Sequence, residues 1–389
     1  MKMEKENISL SQLLTLLINF LLGSAIVVGV GGDAKNDAWL AIILGGLIGM
    51  VIISLVHFFV YRFPDKNMFQ VFEFCIGRKI TIVCTLMYII YYLYISSRVI
   101  RDFGELMATA ILPNTPIEMM SLTFCLLMGY IMYLGFEVLA RTSEVFTPYI
   151  FGFFLLLAIF LFASGSVEFN QIQPILGEGI KPVIKTAFTK LAFFPFGEMI
   201  AFSVIYASLT NKKYSLRVSI VGVGLATLLL STSSLLMIVS LGVDSVSRSN
   251  FPLLSTARVV SIGNFIERID ALVVFIIMLG VFIKGSLFFY AGLKGLEYIF
   301  NLPYRYFALP VSMIISLFSI LVSVDFADHI QEGIKMVPYY LHFPFQVVLP
   351  FILFLLVMWK QRRSKSKSRG EQDGSKQTNS SFIKETNKN

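Results

Sequence analysis

Glu198 and Lys284 are ionisable residues set deep inside long apolar runs, Glu198 about 15 residues after Val183 and Lys284 about 15 after Asp270. A charge at the centre of a bilayer costs about 2.5–3.5 kcal/mol on insertion scales, so both side chains must face protein or water. Glu198 closes the stretch Phe194-Pro195-Phe196-Gly197-Glu198. Pro195 removes a backbone donor there and Gly197 adds freedom, so carbonyls around Phe193 and Phe194 lose helical partners. Freed carbonyls beside one carboxylate suit an ammonium group or a cation; a neutral or paired packing carboxyl is the alternative. Lys284 lies in Gly280-Val281-Phe282-Ile283-Lys284-Gly285-Ser286. It either stands in for a coupling sodium ion or forms an ion pair with Glu198.

A second interruption falls at Gly23-Ser24-Ala25, inside the apolar run 13–30. A break there exposes the amides of Ser24, Ala25 and Ile26 at the positive end of a half-helix, which suits a ligand carboxylate. A small residue at a helix crossing explains the same glycine. A third polar group, Arg98, Arg101, Asp102 and Glu105, has i, i+3, i+4, i+7 spacing and so shares one helical face. Arg98–Asp102 and Arg101–Glu105 are each within pairing reach. The stripe lines a water-filled vestibule or neutralises itself. Arg98 lies 21 residues after Gly77 and Lys284 lies 21 after Gly263, as matching positions of a repeat would.

The other reactive residue types show no such pattern. His57, His329 and His342 lack metal-ligand spacing, and no Ser/His or paired-carboxylate arrangement is present, so the sequence calls for no catalytic site, metal or cofactor. His57 reads as interfacial, near Arg62; the other two read as lying in or beside the last outer loop. Cys75, Cys84 and Cys125 read as small buried hydrophobes. Tyr88, Tyr91, Tyr92 and Tyr94 have helical spacing, with Tyr91 and Tyr94 near the Arg98 face.

The elements that hold these residues are membrane spans. Of 389 residues, 56% are hydrophobic and 14% charged. Net charge is +8, but the basic residues sit in short loops and the tail, a topology signal rather than a nucleic-acid surface. Ten spans are expected, starting near Leu13, Ala38, Lys79, Pro116, Val145, Val183, Ser215, Asp270, Arg305 and Pro344. The loops with Arg62, Lys66, Arg78, Lys79, Arg141, Lys212, Lys213, Arg217, Lys294 and Arg305 are the richer set, which places both termini in the cytoplasm. The start lacks the apolar core and cleavage site of a removable signal peptide.

The two interruptions are five spans apart. Unwound backbone is tolerated in lipid only where it is buried or lines a cavity, and paired breaks point to a solute site between inverted repeats. The expected fold is therefore an all-α polytopic membrane protein with a five-plus-five inverted repeat and broken first and sixth helices. A cytoplasmic segment (1–9) precedes the first repeat (10–165) and the second (166–360). A disordered basic tail (361–389) follows, its start placed to meet anionic headgroups or to act only as a stop-transfer flank. Connections 62–78 and 242–268 read as interfacial helices or amphipathic loops; Met68, Phe69, Val71, Phe72 and Phe74 give the first an apolar face.

Several ordered stretches carry a family resemblance. They are Asp33-Ala34-Lys35-Asn36-Asp37-Ala38-Trp39, Gly135-Phe136-Glu137-Val138-Leu139-Ala140-Arg141, Gly179-Ile180-Lys181-Pro182, Phe194-Pro195-Phe196-Gly197-Glu198, and the run from Ser261 to Leu272 that leads to Ile283-Lys284. Across residues ~8–360 the chain resembles the B subunits of spore nutrient germinant receptors (the GerAB, GerBB and GerKB type). That family is similar to the amino acid–polyamine–organocation (APC) superfamily and its leucine-transporter fold. The resemblance implies a small-molecule germinant, an amino acid first among the candidates, bound in the inner membrane of a bacterial endospore. It also implies a membrane A subunit and a lipoprotein C subunit as partners. Carried over by motif, Gly23, Ser24 and Ala25 match the first-helix break, and Phe194, Pro195, Gly197 and Glu198 the sixth. The first break reads Gly-Ser-Ala where the transporters have Gly-Ser-Gly or Gly-Thr-Gly, which leaves less backbone freedom for a carboxylate. An amino-acid permease of the same superfamily is the alternative function.

Overall fold

The computed structural model describes residues 6–262, 266–267 and 269–361. Residues 1–5, 263–265, 268 and 362–389 lie outside the described residues, and with them the expectations placed on Gly263 and on the tail. The helices are α1 (Leu10–Leu22), α2 (Ala25–Val28), α3 (Ala38–Arg62), α4 (Met68–Ile76), α5 (Arg78–Ala110), α6 (Ile117–Leu134) and α7 (Phe136–Ala163). There follow α8 (Lys181–Thr186), α9 (Phe202–Ile205), α10 (Ser215–Leu241), α11 (Val243–Arg248), α12 (Pro252–Arg258), α13 (Asp270–Phe300), α14 (Arg305–Leu321) and α15 (Phe326–Lys335). A π-helical segment, Pro338–Val348, opens the last span, which runs Pro338–Gln361.

Local sequence explains several of the ends. Ser9 and Gln12 form a reciprocal cap on α1, and Asn67 and Gln70 do the same on α4. Asp325 accepts from the amide of Asp328 at 2.8 Å and starts α15. Gly135, at φ 126°, ends α6 and lets α7 begin at once. The fifth span therefore begins at Phe136 rather than near Val145, and the last at Pro338 rather than near Pro344. In the last span Pro344 is carried inside a widened π-helical turn that spares the missing donor.

Eight helices among the described residues are long and apolar enough to cross a membrane, and nine if α14 and α15, bent by 97°, count as one span. The expected sixth span is not a single helix. It is α8, a π turn (Ala187–Leu191), an irregular turn, a 3-10 turn (Gly197–Ala201), α9 and a second 3-10 turn (Tyr206–Ser208). Connection 62–78 forms α4, with Met68, Phe69, Val71 and Phe72 buried. Connection 242–268 forms α11, α12 and a small antiparallel hairpin of β1 (Ser261–Ile262) and β2 (Ile266–Glu267).

The first and eighth expected spans form the axis. In their most apolar windows 72% of the first (α1–α2) and 78% of α13 is buried, against 22% for the peripheral α7. Helix α13 packs most extensively on α5, so the two helices carrying Lys284 and Arg98 lie side by side. At one face residues 6–8 are stitched into the bundle rather than forming a loose leader. Glu6 accepts from the Phe136 amide (3.1 Å), the Tyr290 hydroxyl (2.8 Å) and the Tyr304 hydroxyl. Ile8 exchanges backbone bonds with Ser208 and Thr210.

Gly23 and Gly280 set how close α1 and α13 come: a Cβ on Gly280 would lie 3.1 Å from the Gly23 Cα. Gly280→Leu is expected to wedge the pair apart and cost about 1–3 kcal/mol, as core overpacking does. A fall in the melting midpoint of the detergent-purified protein checks this; an unchanged midpoint would show that the crossing tolerates the added volume.

Candidate functional site

At the first break, α1 stops because Gly23 takes φ 25°, a conformation that side chains rarely adopt. Its amide still bonds Asn19, and the ladder restarts at the Ser24 carbonyl, which accepts from Val27 and Val28. Lys284 fills the space beside the break: a Cβ on Gly23 would meet its Cδ at 2.5 Å. Gly23 thus serves both as a break and as a helix crossing.

At the sixth-span break the Lys190 carbonyl accepts from both Phe193 and Phe194, and the chain resumes when Met199 bonds Phe196. Glu198 lies in the 3-10 turn after Pro195 and is 2% exposed. Its Oε2 is 2.6 Å from Lys284 Nζ, and Lys284 is wholly enclosed. The ammonium also lies over the rings of Phe194 (4.3 Å) and Phe20 (5.6 Å). Lys284 is therefore the partner of Glu198, and the two breaks meet through this pair.

A cavity of about 420 Å³ runs from Glu198 toward the loop 29–33 and residues 247–250. Its wall includes Ile95, Arg98, Val99, Asp102, Lys190, Phe194, Glu198 and His342. Of the ligand residues expected from sequence, Phe194 and Glu198 stand at the wall. Gly23, Ser24, Ala25, Pro195 and Gly197 lie behind it, and the first span reaches the cavity only from Val28 onward.

The polar stripe of α5 divides. Arg101 pairs with Glu105 at 2.8 Å, and neither lines the cavity. Arg98 and Asp102 do line it, and they bind α15 rather than each other. Arg98 donates to the His329 carbonyl, to Tyr94 (3.3 Å) and to Glu332 (3.5 Å). Asp102 accepts from His329 Nε2 at 2.9 Å. Lys190 adds a bond to the Ile334 carbonyl at 2.8 Å. Gly333 makes the approach possible, since a Cβ there would sit 2.7 Å from an Arg98 nitrogen. Phe326 stacks on Phe251 at 5.2 Å, so α15 also rests on the segment before α12. Helix α15 is held as a cover over one side of the cavity.

His329 and His342 are not loop residues. His329 is buried in α15, and His342, 3% exposed, stands in the last span at the cavity wall. His57 is buried in α3, its ring edge-on to Tyr206 at 5.7 Å.

The family model for spore germination proteins matches residues 7–327. The chain belongs to that family. It is 33% identical over 375 residues to spore germination protein KB of Bacillus subtilis, covering 95% of this chain and 99% of the relative. It is 24% identical to spore germination protein A2 of the same organism, over 84% of this chain and 87% of that one. Among solved structures, the transporter MhsT in complex with L-phenylalanine superposes with a TM-score of 0.65 at 18% identity, over 92% of this chain and 90% of its own. Mhp1, a nucleobase-cation-symport-1 family transporter, gives 0.64 at 12% identity, over 90% and 75%. These likenesses place this spore germination protein in the leucine-transporter-like inverted-repeat fold.

For this multi-span germination protein, the buried pair is the electrostatic centre of the site. Glu198→Gln or Lys284→Met made singly leaves one buried group uncompensated and is expected to cost about 3–5 kcal/mol. The double variant is expected to recover most of that loss. Melting midpoints in detergent measure the cycle, and purely additive losses would show that the two groups are not coupled.

Proposed function

We propose that this chain is the nutrient-sensing subunit of a spore germinant receptor. It binds a small germinant, an amino acid first among the candidates, in the mid-membrane cavity and signals to partner subunits. The observation that carries the reading is a cavity reaching a charge-paired, broken-helix centre in a chain of the spore germination family. Ligand is held by Glu198, Phe194 and the wall above them, and no bond of the ligand is made or broken. In this reading the open face, with α11 and α15, lies outside the spore core, and both termini lie on the core side of the endospore inner membrane. The partners are a membrane A subunit and a lipoprotein C subunit. Binding shifts the population of bundle states, and the difference in affinity between those states is what the partners receive.

The permease reading is favoured by one observation, the likeness to solved transporters. Both readings use the same cavity. They part on whether the ligand leaves through the face closed by Glu6.

The test is a melting screen of the purified receptor complex against amino acids, sugars and nucleosides. A ligand that binds only the folded state stabilises it by about 2.7 kcal/mol at one hundred times its Kd. One nutrient class is expected to raise the midpoint of the wild type and not that of Glu198→Gln/Lys284→Met, which keeps the neutral balance but loses the carboxylate. A shift retained in the double variant would move the site elsewhere. Accumulation of labelled amino acid by the chain alone in liposomes would favour the permease.

A further inference from the structure

His342 is a cavity-wall residue whose orientation is fixed by two polar neighbours, Tyr91 and Gln346. Gln346, one turn on, donates its amide nitrogen to His342 Nδ1 (2.9 Å) and to the Tyr91 hydroxyl (2.9 Å). The Tyr91 hydroxyl is itself 2.9 Å from Nδ1, which closes a triangle of three polar side chains. Tyr91 is wedged in place by Phe345, stacked at 4.7 Å with an interplanar angle of 8°. The Gln346 carbonyl lies against Gly197, where any Cβ would collide with it. The triangle is thus built onto the sixth-span break itself, beside Glu198.

With the Gln346 amide nitrogen turned toward it, Nδ1 takes the acceptor role and carries a lone pair. The neutral ring then holds its hydrogen on Nε2, the nitrogen outside the triangle, in a residue that lines the cavity. Around it Arg98 is paired with Glu332, Asp102 is bonded to His329, and Glu198 is balanced by Lys284. The Nε2 hydrogen therefore favours a ligand end that carries an acceptor, a carboxylate or a carbonyl.

We propose that His342 donates a hydrogen bond from Nε2 to a ligand carboxylate or carbonyl, and that Tyr91 and Gln346 are positioning residues for that donor. This rests on the reading that the cavity is the germinant site, and it names the acceptor-bearing end of the ligand that the site recognises. The other end faces Glu198.

The experiment measures melting shifts of the receptor complex with L-alanine, L-phenylalanine, inosine and D-glucose, for wild type, His342→Gln and His342→Asn. A glutamine amide nitrogen falls near the place of Nε2, whereas that of asparagine falls near Nδ1. His342→Gln is expected to keep the affinity of the stabilising compound within about threefold, and His342→Asn to weaken it about tenfold or more. If L-alanine is that compound, ethylamine, which lacks the carboxylate, should bind wild type and His342→Asn equally.

Equal affinity of wild type and both variants would overturn the proposal while leaving the germinant site in place, and so would equal losses in both. No shift of the wild type with any of the four compounds would overturn the germinant reading and this proposal together. Should either His342 variant fail to fold, Tyr91→Phe, which removes one hydroxyl, is expected to weaken binding several-fold. Unchanged affinity in that variant would overturn the positioning role.

Discussion

The Glu198–Lys284 ion pair is the contact on which the middle of this protein depends. Two charges taken out of water separately would each cost several kcal/mol, and their attraction repays that only at short range and in good geometry. The 2.6 Å separation meets the first requirement, and the rings of Phe194 and Phe20 close over the ammonium. The geometry is achieved because both the first and the sixth span are broken. The sixth span opens so that Glu198 can enter from a 3-10 turn. The first span gives way at Gly23 so that the lysine stem can pass. The breaks thus do more than free backbone groups: they make room for a neutral centre in a place where neither charge could stand alone.

That centre separates two unlike ends. On one side, Glu6 gathers the α7 amide and two tyrosine hydroxyls, and Ile8 ladders onto the end of the sixth span. On the other, the cavity reaches the surface and α15 partly covers it through Arg98, Asp102 and Lys190. Each set of ties joins elements that a rearrangement of the bundle would have to separate. The closed end relies on one carboxylate serving three donors. The covered end relies on three side chains reaching a single short helix, which makes that helix the more readily displaced element.

Much of this was legible in the sequence, and the remainder was hidden for identifiable reasons. Proline, glycine and lone charges in apolar runs are local signals, so the two breaks, Glu198 and Lys284 stood out before any contact was known. Spacing along α5 told which residues share a face, but not which partner each prefers. Arg101 and Glu105 pair as i, i+4 neighbours, whereas Arg98 and Asp102 turn to α15, because that helix crosses their end of the face and offers a carbonyl and an imidazole. The Tyr91–His342–Gln346 triangle joins residues about 250 positions apart, as only the folded chain can. A lone histidine in an aromatic run gives no sign of it. The sixth span was legible as broken at Phe194–Glu198, but not its further division into short helical, π and 3-10 turns, because hydropathy counts apolar residues and does not register how the chain between them winds.

The energetics of signalling follow from the size of the cavity and the scarcity of free polar groups in it. Moving a two-state equilibrium from 1:99 to 99:1 requires about 5.5 kcal/mol of differential binding. A charge-assisted hydrogen bond supplies about 1.5–3 kcal/mol and a neutral one about 0.5–1.5 kcal/mol. Two polar contacts alone therefore fall short or only just reach the requirement. The remainder must come from apolar burial against Ile95, Val99 and Phe194, at about 25 cal/mol per Å². Such burial counts only in so far as one state has the wall in place and the other does not. Phe194 sits on the sixth-span break and Ile95 and Val99 on α5, two elements that need not move together. A small ligand spanning that gap stabilises the state in which they are close, and its polar ends then choose among ligands of similar bulk.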